Sequence, residues 1–479
     1  MIKSAPEFYK LLHRKFPFEP TKIQENLLSQ LSEFTFDKDD DAIFILKGYA
    51  GTGKTTSIST FVNHLWEAGK KAVLLAPTGR AAKVISNYSK KKAYTIHKKI
   101  YHPKKQSNGN MAFVKQPNKH TNTFFIVDES SMIADNSGAV NLFENASLLD
   151  DLMDYVYNGF NCKLIFIGDT AQLPPVKSEL SPALNADTLS INYNKNPYIL
   201  ELDQVMRQHE GSGILYNATE LRGQLDFETF FDFQFNLNFP DIIRLEDGYD
   251  IQDAIVQAYD KAGVEDTAFI VRSNKRANQY NQQIRTKIRG QESEISAGDY
   301  VMVVKNNYYW LKDTTEVDFI ANGDICEVEQ IYTIKELYGF RFAEVRLRMI
   351  DYTDLKPFDT VVLLDTLTSE SPSLTYEQSN KLYNEVLQDY TEEKSKYKQM
   401  MGVKNNKFFN SLQIKFAYAM TCHKSQGGQW DTIFIEQPYL PDGLTKDSLR
   451  WLYTAVTRAK DKLYLIGFGK EYFTEDSES

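Results

Sequence analysis

Residues 42–55 read Ala-Ile-Phe-Ile-Leu-Lys-Gly-Tyr-Ala-Gly-Thr-Gly-Lys-Thr, and no other stretch constrains the chain as strongly. Ala42 to Leu46 are a short apolar run of strand type. Gly48-x-x-x-x-Gly53-Lys54-Thr55 follows, the full phosphate-binding P-loop pattern. The glycines let the backbone turn so that several N–H groups point at one anion. Lys54 adds a mobile positive charge, and the Thr55 hydroxyl is a ligand type suited to Mg²⁺. The segment from Thr56 towards Trp66 has helical spacing, which would aim a helix N-terminus at the phosphates. Gly51, Thr52 and Thr56 are counted with this nucleotide-binding loop.

At 479 residues the chain exceeds one ordinary domain, and its length suggests roughly three. Hydrophobic content of 42% and charged content of 25% fit a globular protein. No apolar run approaches the ~18 residues of a membrane span. Met1 to Phe16 lack the apolar core of a signal peptide. Cys162, Cys326 and Cys422 lie far apart without metal-ligand spacing, so a reducing compartment, the cytoplasm, is expected. Net charge is −9, yet Ala68 to Val127 contain 13 Lys or Arg and no Asp or Glu. An acidic body with one basic face suits local contact with a phosphate backbone.

Other motifs fall at the ends of apolar strands. Gln24, one helix ahead of the P-loop, has an amide able to read an adenine edge. Ala72–Leu75 run into Ala-Pro77-Thr78-Gly-Arg-Ala-Ala, a loop at the carboxyl edge of a parallel sheet, where Thr78 and the N–H groups after it can hold a phosphate. Residues 98–122 read as a basic hairpin carrying Tyr101 and Phe113, either of which could stack on or wedge bases. Phe124–Val127 end in Asp128-Glu129, placing one carboxylate to hold Mg²⁺ and one to deprotonate water. Lys163–Ile167 lead to Gln172, placed to sense the γ-phosphate or the attacking water. Arg207 stands just beyond the strand Tyr198–Leu202. A β-rich stretch starts at Gly298 and is followed by a charged helical segment, Tyr376 to Met401. Residues 415–466 return to α/β character, with Leu463–Ile466 as the closing strand.

The order of these motifs resembles superfamily 1 DNA helicases, in the branch typified by RecD and the phage helicase Dda. The likeness is carried by the P-loop, Ala-Pro-Thr-Gly-Arg-Ala-Ala, Thr95-Ile-His97, Asp-Glu-Ser-Ser-Met, Gly-Asp-x-x-Gln-Leu-Pro-Pro-Val, Val-Met-Arg-Gln, Thr421-Cys-His423-Lys424-Ser-Gln-Gly and Tyr-Thr-Ala-Val-Thr-Arg458-Ala. It implies an α/β fold of two RecA-like domains with parallel sheets and ATP in the cleft between them. It implies a small β-hairpin insert in the first domain and an SH3-like barrel insert in the second. The expected bounds are 1–97 with 123–195 for the first domain and 98–122 for its hairpin pin. They are 196–305 with 409–479 for the second domain and 306–408 for its insert. Arg207 and Arg458 would reach the γ-phosphate from the second domain's side, and Gly428 joins the nucleotide-contacting set. Pro77, Thr78, Thr95, His97, Thr421, His423 and Lys424 would line a groove for single-stranded DNA. The implied activity is ATP- and Mg²⁺-dependent unwinding at single-strand/duplex junctions, running 5′ to 3′ and monomeric. A DNA-stimulated translocase that remodels protein–DNA complexes, a nucleotide-gated binding module, and an RNA helicase are the alternatives. Gln429 stands where relatives often carry an acidic residue that contacts the nucleotide. The long N-terminal extension of some RecD relatives and any nuclease motif are absent, so membership of a RecBCD-like complex is not inferred.

Overall fold

The computed structural model describes residues 1–105, 111–134, 147–176, 178–204, 211–227, 233–311, 319–352, 355–441 and 443–474. Two parallel sheets and a closed barrel organise them.

The first sheet runs in the order Ala93–Thr95, Lys71–Ala76, Thr123–Val127, Lys163–Gly168, Ala42–Gly48 and Asn196–Leu202, all parallel. Its central strands are continuous apolar runs because helices cover both faces. The helix Lys22–Phe36 starts at a reciprocal capping box between Thr21 and Gln24. It seats Phe34 against the rings of Phe44, Phe124 and Tyr198 at 5.4–5.6 Å. The buried Lys163 donates to the carbonyls of Phe34 and Asp37, so its charge meets the negative end of that helix.

The second sheet runs Ala419–Thr421, Thr267–Val271, Trp430–Glu436, Ala459–Ile466 and Ile242–Leu245, again parallel. Phe269, Phe434 and Tyr464 stack across its three central strands with centroids 4.4 and 4.6 Å apart. The barrel is Tyr300–Val303, Ile325–Leu337, Phe340–Met349, Phe358–Leu363 and Leu412–Phe416. Its long hairpin turns at Tyr338-Gly339, both in the left-handed region. The buried Arg285 forks onto both oxygens of Asp299 at 2.9 Å, and Tyr418 donates to the same carboxylate, tying barrel to second sheet. Among the described residues no helix is long and apolar enough to cross a membrane.

Four expectations need correction. The boundary at 195/196 moves past Leu202, because Asn196–Leu202 pairs along the whole P-loop strand. The insert is wider than 306–408, because strands at 300–303 and 412–416 close its barrel. The single charged helix is two, Tyr376–Gln388 and Lys396–Asn405, and it does not simply face solvent: Leu382, Val386 and Val403 pack on Phe340, Phe342, Val361 and Leu363. The edge strand of the second sheet is Ile242–Leu245, not Leu463–Ile466, which lies inside. The hairpin appears as Tyr101–Lys105 paired with Met111–Lys115.

Candidate nucleotide site and nucleic-acid cleft

The P-loop joins the strand Ala42–Gly48 to the helix Lys54–His64. Gly51 and Gly53 take φ of 74° and 83°, which side chains rarely tolerate. A Cβ on Gly48 would lie 3.0 Å from the Lys54 stem and 3.1 Å from Leu202, so the loop hugs its lysine. Lys54 Nζ donates to the carbonyls of Gly48 and Tyr49 at 2.6 and 2.7 Å. Burial pulls its pKa down, and Asp169, Asp128 and Glu129 pull it back up. Gln24 is buried; its Oε1 accepts from Thr21 N, and its Nε2 donates to Thr52 O at 3.2 Å. Its amide thus braces the loop. Thr55 and Thr56 open the following helix.

Asp128 and Glu129 follow the strand Thr123–Val127, which the strand Lys163–Gly168 separates from the P-loop strand. Asp128 Oδ1 accepts from Glu129 N at 2.8 Å. Glu129 is held at φ 52°, a left-handed conformation that is costly for a glutamate and marks a constrained position. Burial pushes both carboxyls up, Glu129 to about 7, with Arg458 the strongest opposing influence on Glu129. A third buried carboxylate, Asp169, ends the strand Lys163–Gly168. It accepts from the Tyr453 hydroxyl at 2.6 Å, and that hydroxyl accepts from Ala50 N of the P-loop at 3.0 Å. Sequence reading assigned no role to Asp169 or Tyr453. Asp169 carried the same signal as Asp128, an acid at the end of an apolar strand. Gln172 is buried, and its Oε1 has no hydrogen-bond partner among the described residues. An orphaned acceptor and a lysine cradle fit a polyphosphate. Among the described residues no group of three or more His, Cys, Asp or Glu is arranged to hold a metal ion by itself, so a cation here would take ligands from the phosphates as well.

Arg458 comes from the second domain and is 3% exposed. Nε donates to Thr454 O, Nη1 to Gly428 O at 3.1 Å, and Nη2 to Thr457 Oγ1. Leu173 N donates to Thr454 Oγ1 at 2.8 Å, and Gln426 Nε2 donates to Leu173 O at 2.7 Å. These bonds close the domain interface beside Gln172. Arg207 lies outside the described residues.

On another face Pro77, Thr95 and His97 meet Lys305, Tyr308 and Phe319 of the insert around a cleft of about 410 Å³. Burial pushes His97 down to about 4, so it is neutral at physiological pH. Thr78 Oγ1 accepts from Ala81 N and Thr95 Oγ1 from Lys98 N, each capping a helix. Lys424, pushed down to about 8 by burial, donates to Asn322 Oδ1 on the cleft wall at 2.6 Å. Thr421 precedes the helical turn Cys422–Ser425, and His423 on that turn is exposed. Tyr101 is no wedge: it is 7% exposed in the core and donates to Asp151. The Phe113 side chain lies outside the described residues.

A family model described as an AAA domain matches residues 30–228, and one described as a UvrD-like helicase C-terminal domain matches residues 416–466. Together they span more than half of the chain. The ATP-dependent DNA helicase dda of Enterobacteria phage T4 is 24% identical over 446 residues, covering 88% of this chain and 93% of that one. These matches support a superfamily 1B helicase of RecD/Dda type. Two further relatives are similar to this chain. The uncharacterised protein R530 of Acanthamoeba polyphaga mimivirus is 24% identical over 92% of this chain and 98% of its own. The ATP-dependent RecD2 DNA helicase of Deinococcus radiodurans is 26% identical over 189 residues, 38% of this chain and 24% of that protein.

Proposed function

We propose that this protein is an ATP-dependent DNA helicase that moves 5′ to 3′ on single-stranded DNA and opens duplex at single-strand junctions. One observation carries the reading: Lys54, Asp128 and Glu129 of the first domain share a buried cleft with Arg458 of the second. A phosphoryl-transfer site divided between two domains links bond cleavage to domain separation, because hydrolysis removes charge that both sides hold.

Lys54 and the P-loop N–H groups would bind the β- and γ-phosphates of ATP, and Thr55 and Asp128 would hold Mg²⁺. That ion would neutralise phosphate charge when bound. Glu129, raised to about 7 by burial, would take a proton from the attacking water. Arg458, with Arg207 as its proposed companion, would stabilise charge on the transferred group. Gln24, which braces the loop through Thr52 O, has a second N–H on the same amide with which it would read adenine. The cleft at Pro77, Thr95 and His97 would take the DNA strand, with Thr78, Thr421, His423 and Lys424 along its path. The three free, buried cysteines suit a reducing cytoplasm.

Steady-state ATP hydrolysis with and without a single-stranded oligonucleotide tests the reading. The wild type should be stimulated by DNA, and Lys54→Ala should abolish turnover in both conditions. Hydrolysis indifferent to DNA would overturn it.

A further inference from the structure

Arg80 lies on the helix Gly79–Ser89, directly after Thr78. Its guanidinium stacks over the Trp430 ring at 4.2 Å and donates to Gln429 O at 3.2 Å. Both partners belong to the second domain. Arg458 Nη1 donates to the preceding carbonyl, Gly428 O, and Trp430 N donates back to Arg458 O at 2.9 Å. Two arginines therefore grip successive carbonyls of one segment. Arg458 approaches from the nucleotide cleft, and Arg80 approaches from the helix that leaves the proposed DNA groove.

The packing allows little slack. A Cβ on Gly428 would lie 2.5 Å from the Trp430 ring and 3.0 Å from the Arg80 stem. A Cβ on Gly427 would lie 2.9 Å from Ala81 and 3.1 Å from Thr78 Oγ1. Further contacts on the same helix hold it in this place. Lys83 bonds Ile350 O and pairs with Asp351 at 3.3 Å, and Tyr88 donates to Gln429 Oε1 at 3.4 Å. The Thr78 loop is thus joined through Arg80 to the segment that Arg458 contacts.

We propose that Arg80 is a positioning residue that couples DNA in the groove to the Arg458 side of the ATP site, with Trp430 as its seat. This rests on the helicase reading above. Arg80 touches neither nucleotide nor reacting atoms; it acts through residues 428–430. A planar, delocalised cation is needed, because a lysine ammonium neither stacks nor forks in the same way.

The test compares wild type, Arg80→Ala and Arg80→Lys in basal and oligonucleotide-stimulated ATP hydrolysis. Single-stranded DNA affinity is measured alongside, with and without a non-hydrolysable ATP analogue. Arg80→Ala should keep basal turnover and lose between about 5- and 150-fold of the stimulation. The analogue's effect on DNA affinity should shrink in parallel, since binding linkage is reciprocal. Arg80→Lys should recover only part of both. A purely structural role would lower basal and stimulated turnover together and leave the linkage intact, which would overturn the proposal. If Arg80→Ala fails to fold, Arg80→Lys decides alone, and wild-type stimulation in it would overturn the proposal. A wild type without stimulation would instead overturn the helicase reading itself.

Discussion

Glu129 combines two costs, a left-handed backbone and a buried carboxyl that titrates near 7. Both suit a general base in a buried cleft. Glu129→Gln should therefore cut steady-state ATP turnover by about 10²–10⁴-fold while ATP still binds, as titration with a fluorescent analogue would show. Turnover near wild type would remove Glu129 from the chemistry. Lys54, Asp128 and Glu129 were legible in sequence because each motif is local, one strand and the loop that leaves it. Asp169, Tyr453 and Arg80 acquire meaning only through partners 284, 403 and 349 residues away. No local pattern encodes such pairs. Tyr101 misled for the same reason: a tyrosine in a basic hairpin looks available for bases until Asp151 and the core claim it.

The helix Gly79–Ser89 and the barrel meet over a buried acid. Asp324 accepts from Ala321 N at 2.7 Å through one oxygen, and its other oxygen lacks a hydrogen-bond partner among the described residues. Asp351 and Tyr352 lie beside it, and Lys83 pairs with Asp351. Only a glycine at position 79 fits, since a Cβ there would lie 2.7 Å from Asp324 Oδ1 and from the Tyr352 hydroxyl. Burial raises Asp324 from its ordinary 3.8 to about 8. The folded state thus holds this proton more tightly than the unfolded chain. The group's contribution is fully present below 3.8 and is lost as pH rises to about 8. Asp324→Asn should remove that slope. In thermal unfolding the variant should match wild type near pH 4 and exceed it at pH 8.5, by on the order of 1–3 kcal/mol. A difference independent of pH would show that Asp324 is not the titrating group. At this scale the sequence revealed strands and turns but misplaced boundaries. Barrel closure and the pairing of Asn196–Leu202 with the P-loop strand are long-range choices that periodicity does not carry.

The whole molecule is a two-domain motor frame, and the order of motifs along the chain was enough to expect it. Charge was a weaker guide. The stretch 68–127 carries +13, but Lys83 pairs with Asp351, Lys115 with Asp151, and Lys91 donates to Val62 O. Part of the expected basic face is therefore internal fastening, and fewer cations than the count implies are left for contact with phosphate in the proposed groove. What couples the halves is the interface: Tyr453 on the P-loop, Gln426 on Leu173, Arg80 on Trp430. The central claim is that ATP hydrolysis across this interface drives directional unwinding. Its most direct test is strand displacement on two duplexes, one with a 5′ and one with a 3′ single-stranded tail, with Lys54→Ala as control. A 5′-to-3′ helicase unwinds only the 5′-tailed duplex, and the control unwinds neither. Unwinding of the 3′-tailed duplex alone would contradict the direction, and no unwinding of either, with DNA-stimulated hydrolysis intact, would contradict the helicase and leave a translocase.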